Sequence, residues 1–320
     1  MASNEMKIPT IDLCKPDLKP GTKQWDTTKA QVLKALQEWG CFEAKYDKIP
    51  SEIREAMFGV FKEIFEFPIE TKVRNFSKKP FHGYVGQVPG LPLYESMCIA
   101  DLLQHESVEN FANIFWPDGN PDFCNVVRSY TKPQVELDEM VKRMVLECLG
   151  LNNYIDQLLD TQYYRIRLSH YMSSALQVDD DDVNKTGLSV HTDFGFLTII
   201  SQNQVNGLQI LNKNNGDWID VNISPNSFVV ISGDSLMAWT NGRLHSPIHR
   251  VTMARGKDRC SIQLFSQVKH DCIIEAPKEL VDEEHPLLFK PFDLSGYFEF
   301  SQTKGGQIAA SEVFKAYCSV

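Results

Sequence analysis

The sequence has no cysteine pair at C-x-x-C spacing, no excess of basic residues and no long apolar run, and each absence removes a class of function. Eight cysteines are scattered at 14, 41, 98, 124, 148, 260, 272 and 318, several within apolar stretches such as "MVLECLG". This leaves no sign of a disulfide framework, and reduced, buried thiols are expected. The formal charge is −10, which argues against a nucleic-acid groove and against docking on anionic lipid, since both need a basic face. No stretch approaches the roughly 20 apolar residues of a membrane span. The opening "MASNEMKIPTIDL" has no apolar signal core. A cytoplasmic protein, monomeric and without a membrane or nucleic-acid partner, is expected.

What is present suffices for a sizeable core: 320 residues, 42% of them apolar. The first half reads as mostly helical. "KIPTIDL" and "CFEAKY" look like short strands, separated by a helix with Val32, Leu33, Leu36 and Trp39 on one face and Gly40 as its stop. "PSEIREAMFGVFKEIFEFP" predicts a second helix with Ser51 as N-cap and Pro68 as terminator. Residues 80–101 are rich in Gly and Pro and read as a long surface loop, in which Tyr84, Leu93 and Tyr94 serve surface packing or a lid. A long helix follows over 122–151, which Pro133 should kink or break.

The second half changes character. "YYRIRLSHYM", "GLSVHTD", "FLTIISQ", "GLQIL", "DWIDV", "SFVVISG", "SLMAWTN" and "RCSIQLFSQV" are short strand-like runs punctuated by Gly, Asn and Pro. Many short strands at even spacing predict an antiparallel sandwich or barrel. With no internal repeat or linker, one domain over 1–320 is expected: a mostly helical part (1–155), a β core (156–275) and a C-terminal helical or loop segment (276–320). The "DDDD" at 179–182 reads as a solvated loop, since cation-binding loops alternate their ligands.

One constellation carries chemistry. His191 and Asp193 stand two apart in an apolar run, and on a strand such residues share a face. An inward carboxylate needs a partner or a metal. His249, in "NGRLHSPIHRV", supplies a second imidazole. Two histidines and one carboxylate on one side of a metal leave its other side open, the ligand set of Fe(II) oxygenases. Ten residues beyond His249 come Arg259 and Ser261. A guanidinium fork and a hydroxyl on one strand face together recognise a carboxylate.

The order H-x-D, about 58 positions, H-R-V, then R-x-S resembles the plant 2-oxoglutarate- and Fe(II)-dependent dioxygenases. The similarity extends to "IPTIDL", "EWGCFEA", "GLSVHTDFGFLTIISQNQVNGLQI", "GDWIDV" and "SFVVISGDSLMAWTNGRLHSPIHRV". "YESMCIADL", "ENFANIFWPDGNPDFC" and "EEHPLLFKPF" look most like the AOP-type branch, known for glucosinolate side-chain and other specialised-metabolite oxidations. The resemblance implies a mainly β fold with flanking helices: a double-stranded β-helix, or jelly roll, packed against an N-terminal helical layer. It implies Fe(II) on His191, Asp193 and His249, and 2-oxoglutarate on Arg259 and Ser261, with Tyr171 matching the second tyrosine of the family's N-Y-Y-P. O2 is the other cosubstrate and ascorbate the expected reductant. Ser169 and His170 stand where Asn and Tyr are usual, no Pro follows Tyr171, and "YDK" replaces an N-H-G. Ser169 is the candidate to make the Asn contact, and His170 reads as structural.

Arg167, Phe265, Gln267 and Tyr94 are candidate substrate contacts. Arg167 shares a face with Ser169 and Tyr171, and Phe265 and Gln267 share one with Ser261. His245 is a rival to His249, disfavoured because only His249 precedes Arg-Val and holds the spacing to Arg259. His82, His105, His270 and His285 lack partners at ligand spacing. The implied activity is oxidation of a small, largely apolar specialised metabolite: C–H abstraction leading to hydroxylation, desaturation, ring closure or dealkylation, with release of succinate and CO2. Alternatives are an oxidase that uses the same iron without 2-oxoglutarate, a phytohormone-inactivating dioxygenase, and a catalytically silent ligand-binding barrel.

Overall fold

The computed structural model describes residues 6–320 except 80, 87, 89–90, 174–184, 254–255, 270, 304, 306–307 and 310–311. The acidic run 179–182 and His270 lie outside the described residues. In chain order the first half contains β1 (Thr10–Asp12), α1 (Lys23–Glu38), β2 (Cys41–Lys45), α2 (Ser51–Glu66), α3 (Ile69–Lys72), β3 (Tyr94–Ile99), α4 (Glu106–Phe115), α5 (Pro121–Cys148) and α6 (Ile155–Asp160). The second half contains β4 (Gln162–Tyr171), β5 (Lys185–His191), β6 (Leu197–Gln202), β7 (Leu208–Leu211), β8 (Trp218–Asp220), β9 (Ser227–Ser232), α7 (Asp234–Trp239), β10 (His249–Met253) and β11 (Arg259–Val268). The β12 (Ile273–Ile274) and β13 (Phe292–Asp293) pair, α8 (Leu294–Thr303) and α9 (Val313–Cys318) complete it.

Two sheets face one another. The major sheet runs β1-β2-β9-β6-β11-β4-β3 and the minor sheet β5-β10-β7-β8, the jelly roll expected of the second half. Residue parity sorts the major sheet's side chains. On β9 and β6, Phe228, Val230 and Ile199 join the core shared with the helices, whereas Val229, Ile231 and Ile200 join one shared with Leu208 and Ile210 of the minor sheet. Both faces are thus covered, which is why these strands read as continuous apolar runs. On β4 the helix-facing set is Ile166 and Leu168. The alternate set is Arg165, Arg167, Ser169 and Tyr171, all buried.

The helices start as their caps direct. The Thr22 hydroxyl accepts the Trp25 N–H at 3.2 Å, and Asn120 accepts the Phe123 N–H at 2.9 Å with Pro121 at the first helical position. Four expectations are corrected. Ser51 is the first residue of α2 rather than its cap; Pro50 holds the cap position with no side-chain bond, and its fixed φ favours the entry. Pro133 does not break α5, which continues through 28 residues because Tyr130, Thr131, Gln134 and Leu137 around it are all buried. The loop expected over 80–101 ends in β3, whose six residues are all buried and pair with β4; Leu93 and Tyr94 are therefore core, not surface. "SLMAWTN" lies in α7 rather than a strand, since a short apolar run buried on all sides does not distinguish the two. All eight cysteines are unpaired. Among the described residues no helix is long and apolar enough to cross a membrane.

Candidate metal centre and cosubstrate pocket

His191, Asp193 and His249 come together between the sheets, their ligand atoms all within 4.8 Å of one another. The histidines face each other across the minor sheet, where β5 and β10 pair them directly, with ring centroids 4.1 Å apart. Asp193 is not on the strand, as strand periodicity had suggested. β5 ends at His191, and Asp193 sits in the turn before β6. That turn is clamped from below: the Asp234 N–H donates to the Asp193 carbonyl at 2.7 Å, and Thr192 donates its hydroxyl to the Asp234 carboxylate at 2.8 Å. A Cβ on Gly233 would stand 2.3 Å from the Gly195 carbonyl and 2.7 Å from that of Asp193, so this approach needs a glycine.

The donor set suits a metal. The Nδ1–H groups of His191 and His249 donate to the carbonyls of Ser189 (2.7 Å) and Pro247 (3.1 Å), which leaves each Nε2 lone pair free. Each Nε2 lies 3.9 Å from an Asp193 oxygen, too far for a hydrogen bond and consistent with an ion between them. Burial and the neighbouring His249 hold His191 down to about 4, against the pull of Asp193, so it is neutral at pH 7. Thr198 donates to Asp193 at 2.6 Å and orients the carboxylate. The sequence pattern gave no sign of Thr198.

The pocket beside this cluster is walled by β4 and β11, whose register places Arg259 opposite Tyr171, Ser261 opposite Ser169, Gln263 opposite Arg167 and Phe265 opposite Arg165. Arg259 is almost fully buried. Its Nε and Nη2 donate to the Gln202 side-chain oxygen at 3.2 and 3.1 Å, and its Nη1 donates to Ser261 at 3.1 Å. Burial lowers it from the usual arginine value, with Tyr171 opposing. Burial likewise pushes Tyr171 up to about 12, with Arg259 opposing. A Cβ on Gly207 would lie 2.4 Å from the Thr252 carbonyl and 3.2 Å from the Arg259 stem, so a glycine there leaves room for the guanidinium. No carboxylate among the described residues pairs with Arg259; its bonds go to neutral oxygens.

Ser169 donates to Gln263 at 3.1 Å and lies 3.2 Å from the Tyr94 hydroxyl, and Gln263 donates to Ser261 at 2.7 Å. A chain of hydrogen bonds thus runs along the wall from Tyr94 to Arg259. Gln263 was missed in the sequence although its parity with Arg259 and Ser261 pointed to it; Gln202 lies on another strand and left no such signal. Arg167, Phe265 and Tyr94 line this cavity. Gln267 does not: it is buried further along β11, accepts from Arg165 and lines a separate cavity with His82 and Phe298. His170 points away, toward Phe61 and Phe65 of α2, with its ring nitrogens 3.1 Å from Glu95 and Asp258. His245 is outside the ligand cluster, on a segment whose backbone bonds Leu36 of α1. His82 packs against Tyr163, His105 pairs with Glu109 and His285 with Asp282. A roomier cavity of about 400 Å³, near Tyr154, Trp239 and Cys272, shares no lining residue with this pocket.

Two imidazoles and a carboxylate with one open side, beside a buried guanidinium that has no acid of its own, define a non-haem iron oxygenase site. Residues 155–268 match the 2OG-Fe(II) oxygenase superfamily and residues 8–95 the N-terminal region of the non-haem dioxygenases in morphine synthesis. The chain belongs to the 2OG-Fe(II) oxygenase superfamily, as a 2-oxoglutarate-dependent dioxygenase that uses Fe(II). It is 46% identical to the probable 2-oxoglutarate-dependent dioxygenase AOP1.2 of Arabidopsis thaliana, over 97% of this chain and 95% of that protein. Its fold is similar to the rice dioxygenase for auxin oxidation (TM-score 0.81, 30% identity, 98% of this chain and 100% of that one). It is also similar to JOX2 in complex with 2OG, Fe and JA (TM-score 0.79, 26% identity, 99% and 90%).

Proposed function

We propose that His191, Asp193 and His249 hold the Fe(II), and that Arg259 and Ser261 hold the distal carboxylate of 2-oxoglutarate, with the Tyr171 hydroxyl and Ser169 beside it. The substrate is a small specialised metabolite seated between Tyr94, Arg167 and Phe265, and residues 1–320 act as one catalytic unit. The observation that carries this reading is the pairing of two Nε2 lone pairs and one carboxylate across 3.9 Å gaps with an acid-free Arg259 on the adjoining wall.

Bound iron supplies O2 activation coupled to oxidative decarboxylation of 2-oxoglutarate, with CO2 and succinate as products. The chain's own part is positional. The Ser189 and Pro247 carbonyls fix the imidazole tautomers, Thr198 aims Asp193, and Gln202 and Ser261 fix the plane of the Arg259 fork. The close-packed strands exclude water and orient the substrate C–H bond.

A hormone-inactivating activity is the second reading, favoured by the fold shared with a rice enzyme described as oxidising auxin. The test is anaerobic titration of the protein with Fe(II) and 2-oxoglutarate, then mass spectrometry of candidate metabolites and hormones after O2 is admitted. Succinate formed in proportion to oxidised product supports the proposal; product without succinate, or binding without product, rejects it.

A further inference from the structure

Arg167, which lines this cavity, and Arg165, two residues before it on the same face of β4, form a second cationic feature with no acid partner among the described residues. They are 5% and 4% exposed, adjacent on the inward face of β4. Among the described residues neither forms an ion pair, and their hydrogen bonds go to neutral groups, the Cys98 thiol among them for Arg165. Arg167 donates to the Ser96 hydroxyl and to the Phe81 carbonyl. Arg165 donates to the same carbonyl at 3.1 Å and to Gln267 at 3.4 Å, and lies 4.2 Å over the Phe265 ring. Two guanidiniums thus share one peptide oxygen, on a residue held at φ +59, a conformation that a bulky L side chain rarely adopts.

Asp193 and the two carboxylates of 2-oxoglutarate together balance Fe(II) and Arg259, which leaves Arg165 and Arg167 without a compensating acid among the described residues. Glu95 does not serve them: it faces the helices and pairs with Lys72 and His170. Nor, on the proposed assignment, is the cosubstrate free to serve them: its distal carboxylate is committed to Arg259 and its other end to the iron, and the Arg167 backbone stands four residues along β4 from Tyr171, the partner of Arg259. Buried charges are retained where a partner arrives to pair them.

We propose that the substrate of this site is an organic acid whose carboxylate is held by the fork of Arg167, with Arg165 behind it, and whose apolar body lies against Phe265 and Tyr94. This rests on the reading of the cavity as the 2-oxoglutarate and iron site, and it replaces a largely apolar substrate with an amphipathic one. The Phe81 carbonyl holds the place that the carboxylate takes.

The test uses the anaerobic Fe(II)·2-oxoglutarate protein and matched pairs of probes: phenylacetate and phenylacetamide, 3-phenylpropanoate and 3-phenylpropanamide, octanoate and octanamide. Binding is read by equilibrium dialysis. At least one acid is expected to bind about tenfold or more tighter than its amide, the scale of a charge-assisted fork. Arg167→Met should abolish that preference and Arg167→Lys keep part of it, with 2-oxoglutarate affinity unchanged in both; thermal melts check that each variant is folded. No acid outbinding its amide, or a preference that survives in Arg167→Met, overturns the proposal. Failure of the wild type to bind 2-oxoglutarate would instead sink the cosubstrate assignment, and loss of 2-oxoglutarate affinity in Arg167→Met would place the cosubstrate at this end and overturn both.

Discussion

The two ends of the β4–β11 wall solve one problem in different ways. Each buries a guanidinium that no carboxylate among the described residues pairs. At the Arg259 end every polar contact comes from regular strands: Gln202 on β6, Ser261 on the same strand, Tyr171 directly opposite. At the Arg167 end the contacts are a strand hydroxyl and the carbonyl of Phe81, a residue 40% exposed and outside the sheet. A cosubstrate that never changes can be met by a rigid lattice. A wall completed by a connecting segment can be altered without disturbing the sheet, and binding groups concentrate on such segments. On the proposed assignment, the shared chemistry rests on strand partners and the individual specificity on a connecting segment of the same cavity.

The largest effect should come from the element common to both ends. Asp193→Asn or His249→Ala is expected to weaken Fe(II) binding by more than the roughly 100-fold typical of losing an outer partner, with turnover abolished; metal titration and succinate release measure it. Arg259→Met should raise KM for 2-oxoglutarate about a hundredfold, since hydrogen bonds to a buried charge are worth about 1.5–3 kcal/mol. Steady-state kinetics with Arg259→Met and Arg167→Met side by side would break the contrast if both variants moved the same constant. Thr198→Val removes one support of Asp193 and should loosen the metal about tenfold, with a smaller change in 2-oxoglutarate affinity. Tyr171→Phe deletes one hydroxyl and should cost about 1 kcal/mol, or roughly fivefold, in 2-oxoglutarate binding.

The smallest effect concerns His170, on the outer side of the same strand. Burial pulls it down, but hydrogen bonds to Glu95 and Asp258 outweigh this and raise it above 6.5. A raised histidine contributes stability that is fully present below its unfolded value and is lost as pH climbs through the folded one. Wild type should therefore lose stability relative to His170→Gln as pH rises from about 6.5, seen in melting temperatures across a pH series. Parallel curves would show that the pair of carboxylates does not hold the proton.

Much of the site was legible in the sequence because metal ligands and carboxylate anchors need particular side chains at particular intervals. His191, His249, Arg259 and Ser261 were found by type and spacing. Asp193 was found for a partly wrong reason, since the turn clamped by Asp234 aims it, not strand alternation. What stayed hidden depends on partners far along the chain. Nothing local marks Gln202 as the companion of Arg259 or Thr198 as that of Asp193. The β3 strand was concealed by the Gly and Pro residues before it, and α7 by an apolar run that burial on every side made ambiguous. That no acid among the described residues pairs with Arg165 or Arg167 could be noticed only once the neighbours were known.

Asp234 has a further partner: the hydroxyl of Tyr297, in α8, donates to it at 2.8 Å. The same carboxylate oxygen receives Thr192, the residue between His191 and Asp193. During synthesis, then, both histidines and the aspartate leave the ribosome well before the phenol that braces them. A nascent chain carries a complete set of ligands but an unfinished mount, and competence for iron should appear only after the last helices have docked.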